Sequence, residues 1–334
     1  MKIAIIGDGG WGTTLAILLH GKGCDVRIWS VFPKYAKLLS EKRENVKFLP
    51  GVPLPKEIAI SSEIQEVIKG SEVVVLAVPS HFMREVLQRL KGSVLSDKIV
   101  VSVSKGIENE TLRRMSEVIW EVLGKTTPLA VLSGPTIAPE VARRFPAMAV
   151  AASKDDGVAT TVQKLFTTDY FGVYNSDDIV GVELGGSLKN IIAIAAGISD
   201  GLGLGTNTKA ALFTRGLVEM ARLGVKMGAR VETFSGLSGM GDLVTTCLSP
   251  RSRNRWLGEE VGRGRRLEGV LKGTEMVVEG VKTTLAGLAL GQRYRLELPI
   301  TQEIKAVLYD GKDPRSAVRD LMIRRRGVEL RLGA

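Results

Sequence analysis

The first thirty residues limit what this chain can fold into more than any other stretch. A strand-like run, "KIAIIG" (2–7), passes directly into "GDGGWG" (7–12). A helical pattern from about Gly12 to Gly23 follows, and then a second strand-like run, "DVRIWS" (25–30). Gly-x-Gly-x-x-Gly set between a strand and a helix, inside a short βαβ unit, is the fingerprint of a dinucleotide site. Gly7 serves the tight turn, Gly9 lets the backbone approach a pyrophosphate, and Gly12 lets helix and strand pack closely. The free N–H groups and dipole at the start of the helix then favour the phosphate charge. An NAD site usually carries Asp or Glu at the end of the second strand to hold the ribose 2′-hydroxyl. The corresponding place reads Trp29-Ser30-Val31-Phe32, with no acid and no arginine, and Lys34 is the nearest base. This leans the expectation toward NADP or dual use and leaves NAD against NADP open.

The same alternation continues to about residue 175. "SEVVVLAVPS" (71–80), "DKIVVSVSKG" (97–106), "PLAVLSGP" (128–135) and "AMAVAAS" (147–153) read as strands, and their continuous apolar character suits strands covered on both faces. "PGVPLP" (50–55) reads as a rigid loop. Beyond about Asp177 the strand-like runs give way to helical patterns separated by glycine-rich turns such as "GLGLGTN" (201–207). The expected organisation is an α/β Rossmann domain over 1–177, doubly wound with a mostly parallel sheet, followed by an all-α domain over 178–334.

Composition narrows the function classes. A chain of 334 residues accommodates two domains of ordinary size. Its longest apolar runs fall short of a membrane span, and Met1-Lys2 leads straight into a strand without a signal-peptide pattern, so no membrane insertion and a cytoplasmic location are expected. Cys24 and Cys247 are too far apart for a disulfide framework or a zinc cluster, so no metal is expected. The net charge is +10, gathered in "RSRNRWLGEEVGRGRR" (251–266) and "IRRRGVELR" (323–331). Aromatic residues make up only 5%, too few for the stacking platforms of single-strand binders, and no nucleic-acid partner is expected. An anionic small ligand accounts for the charge equally well.

Ligands of open α/β sheets bind beyond the carboxyl ends of the strands. Polar residues stand there at Ser104-Lys105-Gly106 and Ser133-Gly134-Pro135-Thr136. Lys105 in isolation reads either as a partner for a negative group or as a surface lysine. "ELGGSLKNIIAIAAG" (183–197) is more pointed. As a helix it places 184, 188, 191, 195 and 198 on an apolar face, while 185, 186, 189, 193, 196, 197 and 200 form a face of Gly and Ala around one long side chain, Lys189. Interior glycines cost roughly 1 kcal/mol each relative to alanine, so a close approach by backbone or ligand should offset them. A partly desolvated lysine there has a lowered pKa, which suits a general acid/base, whereas the bland alternative is snorkelling to solvent. Further on, "SGLSGMGDLVTTCLSPRSRNR" (235–255) combines a glycine-rich loop, Asp242 and Ser252-Arg253-Asn254. Arg253 suits a bidentate grip on phosphate; the alternative is an ordinary surface loop.

Taken together, "GDGGWGTTLA", "VSVSKGIE", "LSGPTIAPE", "ELGGSLKNIIAIAAG", "GLSGMGDLVTTC", "SPRSRN", "VEGVKT" and "LPITQEIKAVLYDGKDP" resemble the bacterial-type NAD(P)-dependent glycerol-3-phosphate dehydrogenases through nearly the whole chain. The resemblance implies a helical domain of the 6-phosphogluconate-dehydrogenase type after the Rossmann domain. It implies interconversion of sn-glycerol 3-phosphate and dihydroxyacetone phosphate for phospholipid synthesis, a phosphorylated small-molecule substrate, NAD or NADP as cofactor, and a homodimer. By the same resemblance Lys189 is the catalytic proton acceptor, and Lys105, Gly134, Thr136, Asp242, Ser252, Arg253 and Asn254 join it on the substrate. Gly10, Trp11, Lys105, Ala138, Arg253, Val277 and Glu279 match cofactor-contacting positions. A serine is common in the family where Gly10 stands, and a basic residue or histidine where Val31 stands. The runner-up is a 3-hydroxyacid or ketopantoate-type reductase of the same fold, whose acids lack the phosphate that the Ser-Arg-Asn group suits. A non-catalytic nucleotide-sensing or nucleic-acid module gives no reason for Lys189.

Overall fold

The computed structural model describes residues 1–92, 97–274 and 276–324. From position 325 onward the basic run at 323–331 lies outside the described residues. The chain divides into two compact units. One comprises Met1–Ser104 and Met115–Ile179, the other Lys105–Arg114 and Val180–Ala334.

Among the described residues the first unit has ten strands: β1 Lys2–Ile6, β2 Asp25–Trp29, β3 Glu44–Asn45, β4 Leu49–Pro53, β5 Ala59–Ser61, β6 Val73–Leu76, β7 Ile99–Ser102, β8 Leu129–Ser133, β9 Ala147–Ala152 and β10 Phe171–Ser176. Eight of them form one sheet in the order β10-β9-β8-β7-β6-β1-β2-β5. Every neighbouring pair is parallel except β8 with β9. The order from β5 to β8 is the doubly wound 3-2-1-4-5-6 pattern, so the strand order reverses beside β1, where such sheets bind their ligands.

Period-two alternation explains why these strands read as unbroken apolar runs. Ile3, Ile5, Val73 and Val75 join one core with Leu15, Leu18 and Leu19 of the helix Gly10–Gly21. Ala4, Ile6, Val74 and Leu76 join a second core on the opposite face with Met83, Val86 and Leu87. Both faces are covered, so neither can be polar.

"PGVPLP" departs from its expected form. Leu49–Pro53 is strand β4, paired antiparallel with β3 in a separate two-stranded sheet. Pro50 and Pro53 are tolerated because a two-stranded sheet has only edges, where a missing N–H need not break a ladder.

Helices make up the second unit among the described residues. Its centre is the helix Ile179–Gly201, long and apolar enough to cross a membrane but almost wholly buried inside the protein. Periodicity predicts one core face and one small-residue face; in fact the helix is covered all round. A Cβ on Gly197 would lie 1.9 Å from the Arg255 carbonyl oxygen, and one on Gly201 would lie 2.2 Å from that of Glu259. From the other side, a Cβ on Gly258 would lie 2.0 Å from the Ile194 oxygen. The small residues therefore admit the backbone of the helix Arg253–Gly262, which is the compensation their helical cost required.

Lys105–Arg114 also differ from expectation, since the sequence placed them in the Rossmann domain. Ile107 joins the hydrophobic core of the helical unit, and Arg114 Nη1 donates to Glu183 Oε2 at 2.5 Å. These contacts tie the segment to the long helix.

Candidate active site and nucleotide cradle

Lys189 lies mid-way along the long helix and is 6% exposed. Its Nζ donates to Asp242 Oδ1 at 2.7 Å and to the Thr246 hydroxyl. Asp242, 1% exposed, opens the helix Asp242–Leu248, and Thr246 stands one turn later on the same face. A π-helical turn, Leu237–Gly241, delivers the chain to Asp242. It can approach because Gly185 has no side chain: a Cβ there would lie 2.4 Å from the Ser238 oxygen. The other carboxylate oxygen of Asp242 accepts from Lys105 Nζ, also at 2.7 Å. Lys105 is 19% exposed on its side chain, so it is a paired, mostly covered residue and not a loose surface lysine.

Two ammonium groups thus share one buried carboxylate. Burial pushes the Lys189 pKa down to about 8; Asp242 opposes that shift and the like charge of Lys105 adds to it. Snorkelling is ruled out by the burial and the hydrogen bonds. Neighbouring Cys247 is buried and its thiol is pushed up to about 12 by desolvation, so it stays protonated and neutral.

Asn190 and Asn254 brace this cluster. Asn254 Nδ2 donates to Asn190 Oδ1 at 2.8 Å, and the Gly280 N–H donates to Asn254 Oδ1 at 2.9 Å, joining three helices. Ser252 is the N-cap of the helix Arg253–Gly262, its oxygen accepting from the Arg255 N–H at 3.2 Å. Arg253 is the first residue of that helix. Its side chain is exposed overall, yet crowding desolvates the guanidinium enough to lower its pKa, with Glu279 opposing. Glu279 opens the helix Glu279–Arg293, and Val277 precedes its cap. Most of the remaining basic cluster is internally neutralised: Arg263 pairs with Glu259 and Glu260, Arg265 with Glu260, and Arg255 with Asp200. Sequence reasoning missed Thr246 and the bracing by Asn190. Thr246 was findable, because it follows Asp242 at helical i,i+4 spacing.

In the first unit, the fingerprint residues converge as expected at the end of β1. Gly7 has φ +120°, and a Cβ there would lie 2.7 Å from the Ala77 oxygen. One on Gly12 would lie 2.2 Å from the Gly7 oxygen, and one on Gly10 would lie 2.6 Å from the Phe48 oxygen. Gly9 is different. It caps the helix with no side-chain hydrogen bond, and a Cβ on it would meet nothing within 4 Å. Open space over an uncapped helix start with no acid in its first turn is what a pyrophosphate needs, so these residues fit a dinucleotide.

Ala138 closes one side of this cradle, its carbonyl accepting from Thr14 Oγ1 at 3.2 Å. Trp11 packs its ring against Phe171, with centroids 6.2 Å apart. Gly134 and Thr136 lie in the loop from β8 to Ala138, and a Cβ on Gly134 would press to 2.7 Å from the Met148 oxygen.

A doubly wound sheet with an open dinucleotide cradle, and a helical unit with a buried lysine poised between charged and neutral, define an NAD(P)-dependent oxidoreductase. Residues 2–159 match the N-terminus of the NAD-dependent glycerol-3-phosphate dehydrogenases, and residues 178–319 match their C-terminus. The chain belongs to that family. It is 51% identical over 332 residues to a glycerol-3-phosphate dehydrogenase (NAD(P)+) of Chlorobium phaeobacteroides, covering 99% of each chain. It is also 51% identical to one of Syntrophotalea carbinolica, covering 99% of this chain and 100% of the relative. A crystal structure of glycerol-3-phosphate dehydrogenase from Coxiella burnetii superposes with a TM-score of 0.94 at 38% identity, over 97% of this chain and 99% of that one.

Proposed function

We propose that the chain interconverts sn-glycerol 3-phosphate and dihydroxyacetone phosphate by hydride transfer, with Lys189 as the general acid and base. The observation that carries this reading is the buried Lys105–Asp242–Lys189 cluster. Gly7, Gly9, Gly10, Trp11, Gly12 and Ala138 would hold the cofactor, together with Lys105, Arg253, Val277 and Glu279. NAD(P)H, when bound, supplies the hydride for C2 of the ketone.

As C2 is reduced, negative charge develops on its oxygen. The Lys189 ammonium stabilises that oxygen and then gives it a proton. In the reverse direction the neutral Lys189 amine takes the hydroxyl proton. A pKa of about 8 keeps both forms accessible near neutral pH. Asp242 and Thr246 hold the amine in one orientation.

Arg253 would grip the phosphate, with the start of its own helix and the Ser252 cap beside it. Fixing that non-reacting end places C2 for transfer. Gly134, Thr136 and Asn254 complete the substrate set. The hydroxyacid and ketopantoate readings leave this phosphate grip without a purpose. Supply of glycerol 3-phosphate for phospholipid synthesis, a homodimer and a cytoplasmic location belong to the same proposal.

The test is oxidation of NADH and of NADPH with dihydroxyacetone phosphate, beside ketopantoate, for wild type and Lys189→Ala. Loss of general acid/base catalysis should lower kcat on the order of 10²- to 10⁴-fold, with cofactor affinity nearly unchanged. Near-normal turnover of the variant would sink the assignment of Lys189.

A further inference from the structure

The end of β2 has no acid of its own, yet a carboxylate stands there. Asp8, the residue between Gly7 and Gly9 in "GDGGWG", accepts a hydrogen bond at Oδ2 from the Ser30 hydroxyl. Ser30 directly follows β2 and is fully buried, with its N–H fixed to the Ser61 carbonyl. The backbone of Asp8 is held as well, its carbonyl accepting from Asn45 Nδ2 at 2.8 Å. Asn45 belongs to β3, and a second bond from its Nδ2 to Thr13 Oγ1 at 2.7 Å locks it to the fingerprint helix. Among the described residues, Ser30 is the only side-chain donor to this carboxylate.

We propose that Asp8, positioned by Ser30, is the acceptor for the adenosine ribose hydroxyls and makes this chain prefer NAD over NADP. The inference rests on the cofactor lying over Gly7–Gly12. The acid that selects NAD normally projects from the end of the second strand of the fold. Here the glycine-rich loop supplies it, and the strand supplies only the serine that aims it. A ribose 2′-hydroxyl offers a proton to such a carboxylate, whereas a 2′-phosphate offers further negative charge and no donor. Burial raises the Asp8 pKa, while the Ser30 bond, its own amide and the charge of Lys47 oppose that rise. Lys47 moderates the repulsion of a phosphate but leaves the carboxylate in place at the strand end. This reverses the lean toward NADP drawn from Trp29–Phe32 alone.

The test measures Kd for NADH and NADPH with the substrate-free full chain, by fluorescence titration and calorimetry. The wild type should bind NADH more tightly. Asp8→Asn keeps the shape of the side chain and an acceptor for Ser30, while Asp8→Ala removes both. Each should lower the NADH preference on the order of 10-fold or more, the worth of a charge-assisted hydrogen bond. Ser30→Ala should lower it less. Gly9→Val is the control for the cradle, since φ −65° and ψ 171° suit valine and a Cβ there meets nothing within 4 Å. It should abolish binding of both cofactors in a folded protein. An unchanged preference in both Asp8 variants, with Gly9→Val blocked, would overturn the role of Asp8 and leave the cradle standing. Normal binding by Gly9→Val would overturn both, and a wild type that prefers NADPH would overturn the inference directly.

Discussion

The shared carboxylate makes the pH dependence of turnover a sensitive probe of the cluster. Asp242 should hold the Lys189 pKa up and Lys105 should hold it down, so removing each should move it in opposite directions. Each ammonium nitrogen lies 2.7 Å from a different oxygen of Asp242. That geometry keeps the two charges no more than about 8 Å apart, where an effective dielectric near 20 gives a repulsion of about 2 kcal/mol. This corresponds to roughly 1.5 pH units, and screening at the partly exposed Lys105 should reduce it to about 1. With Lys189 as the proposed base, glycerol 3-phosphate oxidation needs its neutral form, so kcat should rise with pH through a midpoint of about 8. Lys105→Met should move that midpoint up by about 1 unit, whatever it does to the height of the profile. Asp242→Asn leaves desolvation and Lys105 unopposed, and should move it down by at least about 1 unit. In the reducing direction the same midpoints should appear as falling limbs, because the ammonium is then the active form. The assay is the initial rate with saturating NAD and glycerol 3-phosphate from about pH 6 to 10.5. A primary isotope effect from substrate deuterated at C2 verifies that chemistry limits the rate. A Lys105→Met midpoint that stays put or falls would refute the electrostatic account.

Two further outcomes follow from the geometry. Arg253→Ala should raise KM for the phosphorylated substrate with a smaller effect on kcat; an effect confined to cofactor binding would mean another group holds the phosphate. Gly197→Ala should destabilise the helical unit by about 1–3 kcal/mol, because its Cβ lands 1.9 Å from a carbonyl of a helix that must then move. Calorimetry should show a fall in Tm, while Gly205→Ala, at a cap with nothing within 4 Å, should be nearly neutral.

Local chemistry was legible in the sequence, and long-range placement was not. The fingerprint could be read because strand, glycines and helix are contiguous, and Lys189 stood out because a charged residue among Gly and Ala needs a reason. The fate of Lys105 depends on Asp242, more than a hundred residues away, and on Ile107 entering the helical core, which no periodicity reveals. The glycines around Lys189 show the limit most clearly. A face of small residues announces close approach without saying whether backbone or ligand approaches: Gly185 admits the π-helical turn before Asp242, and Gly197 admits the Arg253 helix. Their contribution to chemistry is therefore indirect but specific. They let the chain that carries Asp242 and the helix headed by Arg253 pack directly on the helix that carries Lys189, so the groups proposed for proton transfer and for gripping the phosphate are set by backbone contact. Asp8 repeats the lesson from the other direction. Read along the chain it is one open position in a glycine motif, and only the pairing of β1 with β2 puts its carboxylate beside Ser30, at the place proposed for the ribose.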